Sequence, residues 1–231
     1  MNKLFLIPAT IGDSDISDVL SANFTKHINT LNIFIVEELR TARRFLRSAG
    51  YTRNFDEVKF FVLNEHTDIG EIETYLDLIS ESSIGLLSEA GVPCVADPGS
   101  IIVELAHRKN IPVVPWIGPS SILLALMASG LNGQNFCFNG YLPIDKKERE
   151  KKLKELEQRA IRENQTQIFI ETPYRNNHLL ESILSVCNSS TRVGIAANIT
   201  QKNALHQTKT VAEWRRKTID LHKQNVVFLM G

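Results

Sequence analysis

The chain has 231 residues, 43% hydrophobic and 23% charged, with 26 basic residues against 26 acidic ones and a formal net charge of +0. That composition excludes a disordered or fibrous chain and suits one large or two small globular domains. The charge balance excludes a global basic field, so any nucleic-acid contact must come from a local patch.

In chain order, Leu4 to Ile7 reads as a first buried strand, followed by a loop from Pro8 to Asp15. Ser17 to Ile28 reads as a helix and Ile33 to Val36 as a strand. Leu39 to Ala49 is helical and stops at Gly50, a good residue just past a helix end. Phe60 to Leu63 is a strand, Gly70 to Ser80 a helix, and Ile84 to Leu87 a strand. Ile101 to Lys109 is a helix and Ile111 to Val114 a strand. Alternating strands and helices predict an α/β fold with a mostly parallel sheet. The Pro/Gly connector from Pro115 to Pro119 predicts a boundary, giving domains 1–115 and 116–231. Beyond it, Ser120 to Ser129 is an apolar small-residue helix, and Phe136 to Asn139 opens a new sheet. Asp145 to Glu163 is a long charged helix, and Gln167 to Ile170, Val193 to Ala196 and Val226 to Met230 are strands. Weaker βαβ signals in this half predict a mixed sheet.

Cys94, Cys137 and Cys187 are widely spaced and odd in number, so neither a zinc site nor a disulfide framework is expected. The short apolar run before Pro8 is too short for a signal peptide's apolar region and fits a first buried strand, and there is no run of about 18 apolar residues, so neither a signal peptide nor a membrane span is expected. A cytoplasmic location follows as the expectation.

The most informative stretch is Leu86 to Ser121. Two apolar strands each run into a loop of small residues, Ser88-Glu89-Ala90-Gly91 in one case and Gly118-Pro119-Ser120-Ser121 in the other. In open α/β sheets ligands bind outside the C-terminal ends of strands. Residues without bulk let backbone approach a ligand closely. A set of ordinary tight turns would read the same way from spacing alone.

These residues carry a resemblance. SEAGVPCVADPG is similar to the "S-D-A-G-x-P-x-x-S-D-P-G" signature of one branch of the tetrapyrrole (corrin/porphyrin) methylase superfamily. That branch contains bacterial methyltransferases acting on a ribose 2′-hydroxyl of small-subunit ribosomal RNA. Pro115 to Ser121 resembles "P-x-P-G-P-S-A", and Ala128 to Leu131 resembles "S-A-S-G-L-P". Phe138 to Pro143 resembles "F-x-G-F-L-P", and Ile170 to Arg175 resembles "Y-E-S-P-H-R".

The resemblance implies two α/β/α domains with S-adenosylmethionine (SAM) in a cleft between them, and a homodimer. It puts Ile11, Ser88, Glu89, Ala90, Gly91, Val92, Ser120, Ser121 and Ile122 around the cofactor. Glu89 stands where the branch usually has Asp. Its plainer reading is a solvated turn carboxylate.

Methyl transfer from SAM is a displacement at a sulfonium methyl, in which the cofactor supplies the reactivity and the protein the alignment. A ribose hydroxyl is a poor nucleophile, so a base would help. Glu38, Glu65 and His66 are the candidates. Asn64 to Thr67 resembles the family's "Y-H-E-H-N", although His66 reads equally as a structural histidine. Glu171 could serve in the second domain or simply orient backbone.

Arg40, Arg43, Arg44 and Arg47 recur at helical spacing and form one stripe suited to phosphate. A solvated helix face is the alternative. Glu37-Glu38-Leu39-Arg40 sits where the family has "E-D-T-R", and Arg53 would extend the patch.

Departures cluster where the acceptor would be contacted. The opening loop from Ala9 to Ile16 is one residue shorter than the family's "T-P-I-G-N-L-G-D-I". Ala196 to Gln201 replaces "A-R-E-L-T-K" with neutral residues. The cofactor-side motifs are better kept than the acceptor-side ones, so the methyltransferase reading is the firmer part of the expectation. The expected function is a SAM-dependent methyltransferase acting on a ribosomal RNA ribose. The alternatives are a methyltransferase of a small molecule such as a tetrapyrrole, and a silent SAM- or RNA-binding module.

Overall fold

A computed structural model of the chain describes residues 1–64 and 67–231. They form two compact units, Met1–Ser120 and Ser121–Gly231.

The first unit is built on five parallel strands, β1 (Leu4–Ile7), β2 (Ile33–Val36), β3 (Lys59–Val62), β4 (Ile84–Leu87) and β5 (Val113–Pro115), in the order β3-β2-β4-β1-β5. β2 and β4 are buried at every residue, so both read as unbroken apolar runs. The pleat sends alternate side chains to opposite faces. Leu4, Ile33, Ile35, Ile84 and Leu86 pack in one core, while Ile7, Phe34, Val36 and Leu87 pack in the other.

The helix expected over Ser17 to Ile28 is two short ones, α1 (Ile16–Val19) and α2 (Phe24–Ile28). Leu20 leaves α1 in an extended conformation and buries its side chain, and Ser21 and Asn23 favour turns over helix interiors. Helix α3 (Leu39–Ser48) follows β2. The helix expected over Gly70 to Ser80 ends early: α4 (Ile69–Tyr75) gives way to a 3₁₀ turn at Asp77–Ser80. After α5 (Ser100–Arg108), Asn110 takes a left-handed φ of 55°, and the Ile111 amide donates back to the Ala106 carbonyl at 2.8 Å. This helix-ending turn consumes Ile111, so β5 starts two residues later than its apolar run suggests.

The second unit opens with α6 (Ser121–Ser129), then β6 (Phe136–Tyr141), α7 (Lys146–Glu163), β7 (Thr166–Ile170), α8 (Asn176–Val186), β8 (Arg192–Ala197), β9 (Leu205–Thr210), α9 (Val211–Trp214) and β10 (Val226–Met230). Its sheet is mixed, in the order β6-β7-β10-β8-β9. β6 is parallel to β7, and the other neighbours are antiparallel. Edge strand β9, sequence LHQTKT, carries almost no apolar signal and is missed by periodicity. The buried Trp214 anchors this core, and its indole N–H donates to the Val193 carbonyl at 2.9 Å.

Trp116 to Pro119 lies with the first unit. Trp116 packs on Phe5 and Phe24 with ring centroids 5.6 and 5.5 Å apart, and its amide donates to the Leu6 carbonyl.

Candidate functional site

Because β1 lies between β4 and β5 in a parallel sheet, the loops leaving all three strands emerge side by side. Backbone hydrogen bonds stitch them together. The Ala9 amide donates to the Gly91 carbonyl at 2.9 Å, and the Gly91 amide to the Thr10 carbonyl at 3.4 Å. The Val92 amide donates to the Pro119 carbonyl at 3.0 Å. The buried Ser88 hydroxyl donates to the Gly91 carbonyl at 2.7 Å.

Gly91 sits at φ +71°, and a Cβ there would lie 2.9 Å from the Pro119 oxygen. At Gly118 a Cβ would lie 2.2 Å from Pro8. The two glycines are thus required by loop-to-loop contact, before any ligand is considered.

Asp97 staples the rest of the β4 loop. Its carboxylate accepts the Cys94 amide at 2.8 and 2.9 Å and the Gly99 amide at 2.8 Å. Cys94 and Ala96, both at positive φ, are held in that shape. Burial first, and then the Asp97 charge, push the Cys94 thiol up to about 12, so it supplies no thiolate near neutral pH.

Carboxylates gather at the same edge. Glu37, directly after β2, accepts the Glu89 amide at 3.3 Å. Glu89 accepts the Thr41 hydroxyl at 2.7 Å and is otherwise exposed. Among the described residues, no basic side chain forms an ion pair with Glu37, Glu89 or Asp97. Half-burial holds the Glu37 carboxyl above the usual range, the Glu89 amide offsets part of that, and the Asp97 and Glu89 charges add to it. Such an edge suits a positively charged ligand. Thr41 escapes the motif reading, and Glu37, which falls there within Glu37-Glu38-Leu39-Arg40, is given no role, although it follows a buried strand, the position where sites form.

The sign for Glu37 is definite. Its folded-state affinity for a proton is raised, so stability falls as pH rises from the ordinary carboxylate range through the raised one. Glu37→Gln should therefore raise the melting temperature at neutral pH and flatten its pH dependence. Thermal melts between about pH 4 and pH 8 check this. An unchanged slope would mean that burial does not govern this group.

The candidate bases part company. Glu38 caps α3: its carboxylate accepts the Arg40 amide at 2.8 Å and the Thr41 amide at 2.7 Å. Those two bonds hold it below the usual carboxylate range. Glu65 and His66 lie outside the described residues. Glu171 is spent locally, accepting the Arg175 guanidinium at 2.7 and 3.0 Å and the Thr172 amide at 2.7 Å.

The arginine stripe divides in two. Arg43 lies over the rings of Phe55 and Phe60, 5.5 and 5.2 Å from their centroids, and its buried Nε has no hydrogen-bond partner among the described residues. Arg47 lies 4.0 Å over Phe55 and donates to the Tyr51 carbonyl at 2.6 Å. Arg53 donates to the Asn29 carbonyl at 3.0 Å. Arg40, Arg44 and Arg47 are exposed, Arg47 with its guanidinium already held by Phe55 and Tyr51.

Of the remaining cofactor candidates, Ile11 and Ser120 belong to the first unit, and its loop is closed by the Ser14 hydroxyl donating to the Ile11 carbonyl at 2.6 Å. Ser121 and Ile122 open α6 in the second. Among the described residues, no group of three or more His, Cys, Asp or Glu side chains could hold a metal ion. No described helix is long and apolar enough to cross a membrane.

The family model described as Tetrapyrrole (Corrin/Porphyrin) Methylases matches residues 19–214. Two curated relatives carry the name ribosomal RNA small subunit methyltransferase I. The chain is 30% identical to that of Vibrio cholerae over 98% of its own length and 76% of the relative's. It is 30% identical to that of Escherichia coli O157:H7 over 86% of its own length and 66% of the relative's. Part of each relative therefore lies outside the match. Two solved structures share the fold: the methyltransferase CobJ, with TM-score 0.66 at 15% identity over 100% of this chain and 94% of that one, and the cobalt precorrin-4 methyltransferase CbiF, with TM-score 0.62 at 13% identity over 99% and 94%.

Proposed function

We infer the function from one premise: the chain belongs to the tetrapyrrole (corrin/porphyrin) methylase family. It is a SAM-dependent methyltransferase, and its acceptor is a ribose 2′-hydroxyl of small-subunit ribosomal RNA. The single observation that carries the cofactor assignment is the stitched loop edge of β1, β4 and β5, with carboxylates that no cation neutralises. SAM is a cation with an amino group and a ribose, all of which such an edge fits. Ile11, Ser88, Glu89, Ala90, Gly91, Val92 and Ser120 of the first unit would hold it; Ser121 and Ile122 are cofactor candidates by the family resemblance alone. Bound there, the cofactor supplies an electrophilic methyl group.

The chain's own residues supply position. Thr41 of α3 fixes the Glu89 carboxylate, and Asp97 keeps the β4 loop rigid. Such preorganisation is what a displacement reaction asks of a protein. Glu38 is committed to the start of α3, so removal of the ribose proton is assigned to Glu65 or His66. Exposed Arg40 and Arg44, one helical turn apart on α3, suit neighbouring backbone phosphates and support the RNA acceptor. A ribosomal acceptor places the reaction in the cytoplasm.

Tritium-labelled SAM incubated with small-subunit ribosomal RNA from cells lacking the protein tests this. Label should appear in a 2′-O-methylated nucleoside. Label in a base or in a small molecule alone would overturn the acceptor.

The enzyme works as a homodimer. Leu123 and Met127, one turn apart on α6, are 50% and 79% exposed, which suits a subunit contact. Sedimentation at high micromolar concentration should give twice the chain mass. A monomer would remove the dimer from this account.

A further inference from the structure

The second unit carries an exposed aromatic that its own fold does not need. Tyr174, in the loop between β7 and α8, is 66% exposed, and its hydroxyl makes no hydrogen bond among the described residues. Two side chains of the segment before β10 meet its ring. His222 stands edge-on to it, with centroids 5.7 Å apart at 71°, and the Lys223 ammonium lies 6.0 Å from the ring centroid. Both are exposed.

This cluster is held, not draped. The Lys223 amide donates to the Pro173 carbonyl at 2.9 Å. Buried Asn176 donates to the Gln224 carbonyl at 2.7 Å, and Asn177 donates to Asp220 at 2.8 Å and accepts the Leu221 amide at 2.8 Å. The loop after β8 joins the same segment, because the Asn198 amide donates to the Asn225 carbonyl at 2.8 Å. That loop carries exposed Lys202. Lys223 itself takes a left-handed φ of 59°, a conformation that lysine adopts only when its surroundings impose it.

Of the acidic groups nearby, Glu171 is paired with Arg175, while Asp220 accepts Asn177 and the His222 amide, the latter at 2.9 Å, and keeps its charge. A rigid exposed ring with a lysine ammonium beside it is the arrangement that stacks an unpaired base and holds the adjoining phosphate.

We propose that Tyr174, with His222 and Lys223, forms a stacking platform for an unpaired nucleotide of the RNA substrate, separate from the Arg40 and Arg44 contact on the first unit. The proposal rests on the RNA acceptor argued above.

The test measures binding of deproteinised small-subunit ribosomal RNA to the full chain and to its Tyr174→Ala, Tyr174→Phe and Lys223→Gln variants. One stacked base lost in Tyr174→Ala should weaken binding by about tenfold. Tyr174→Phe, which keeps the ring, should stay within about twofold. Lys223→Gln should lower the salt slope by the share of about one phosphate. SAM affinity and the melting temperature should not move in any variant. Equal RNA affinity for wild type and Tyr174→Ala would overturn the platform and leave the RNA reading intact. Failure of the wild type to bind RNA would overturn both. A loss in Tyr174→Phe as large as in Tyr174→Ala would overturn stacking. A loss seen only with assembled small subunits, and not with naked RNA, would make the patch a protein contact and overturn the proposal.

Discussion

Gly91→Val is expected to abolish SAM binding and to lower the melting temperature of the first unit. The residue holds φ +71°, where a β-branched side chain costs about 1–2 kcal/mol. Its Cβ would lie 2.9 Å from the Pro119 oxygen and 3.5 Å from Ile11, so overpacking adds about 1–3 kcal/mol. The strain falls on the hydrogen bonds from Ala9 to Gly91 and from Val92 to Pro119, which define the loop edge. The loops must part, and residues from all three lose their common placement. Ser88→Ala is the milder companion: it removes one bond to the Gly91 carbonyl and should weaken SAM binding without unfolding the chain. Calorimetry with each variant, beside circular dichroism, reads both effects. Gly91→Val binding SAM as wild type does would remove these loops from the cofactor site.

Reversing Arg40 and Arg44 together to Glu should weaken RNA binding by more than about tenfold at low salt and flatten the salt dependence. Two lost phosphate contacts remove about 1.4 from the slope for single-stranded RNA. SAM affinity should stay within about threefold, or roughly 0.6 kcal/mol, since neither arginine touches the stitched loops. Arg43→Glu should behave differently. Its guanidinium lies over the Phe55 and Phe60 rings, and a carboxylate there would face the negative side of both. That variant should lose thermal stability, and any fall in RNA binding should track unfolding. Filter binding across a salt series, with melts of each variant, separates the Arg40 and Arg44 pair from Arg43. An unchanged slope for the Arg40 and Arg44 pair would make α3 an ordinary solvated face.

The arginines mark one boundary of what could be read in advance. Four residues at three- and four-residue spacing must share a helix face, and that much is periodicity. Which of their guanidiniums are held against rings depends on Phe55 and Phe60, which come from another part of the chain. The same holds for Glu38. Its place beside a motif suggested a base, while its position one residue before α3 makes it a cap. Gly91 was singled out as leaving space for a ligand, but the nearest atom to its missing side chain is a carbonyl of the β5 loop.

By itself the sequence determined the alternation of strands and helices, the mixed character of the second sheet and the family, because buried parallel strands are continuous apolar runs and motifs are local in the chain. It did not determine α8, α9 or β9. β9 is an edge strand whose polar residues bear no period, and its place is set by pairing with β8. Only the tertiary structure decided that β1 lies between β4 and β5, and so that three loops distant in sequence are bonded into one edge. Only it decided which charged groups are spent on the fold and which stand free. Both outcomes depend on contacts between residues far apart in the chain, and strand order and desolvation leave no local pattern to read.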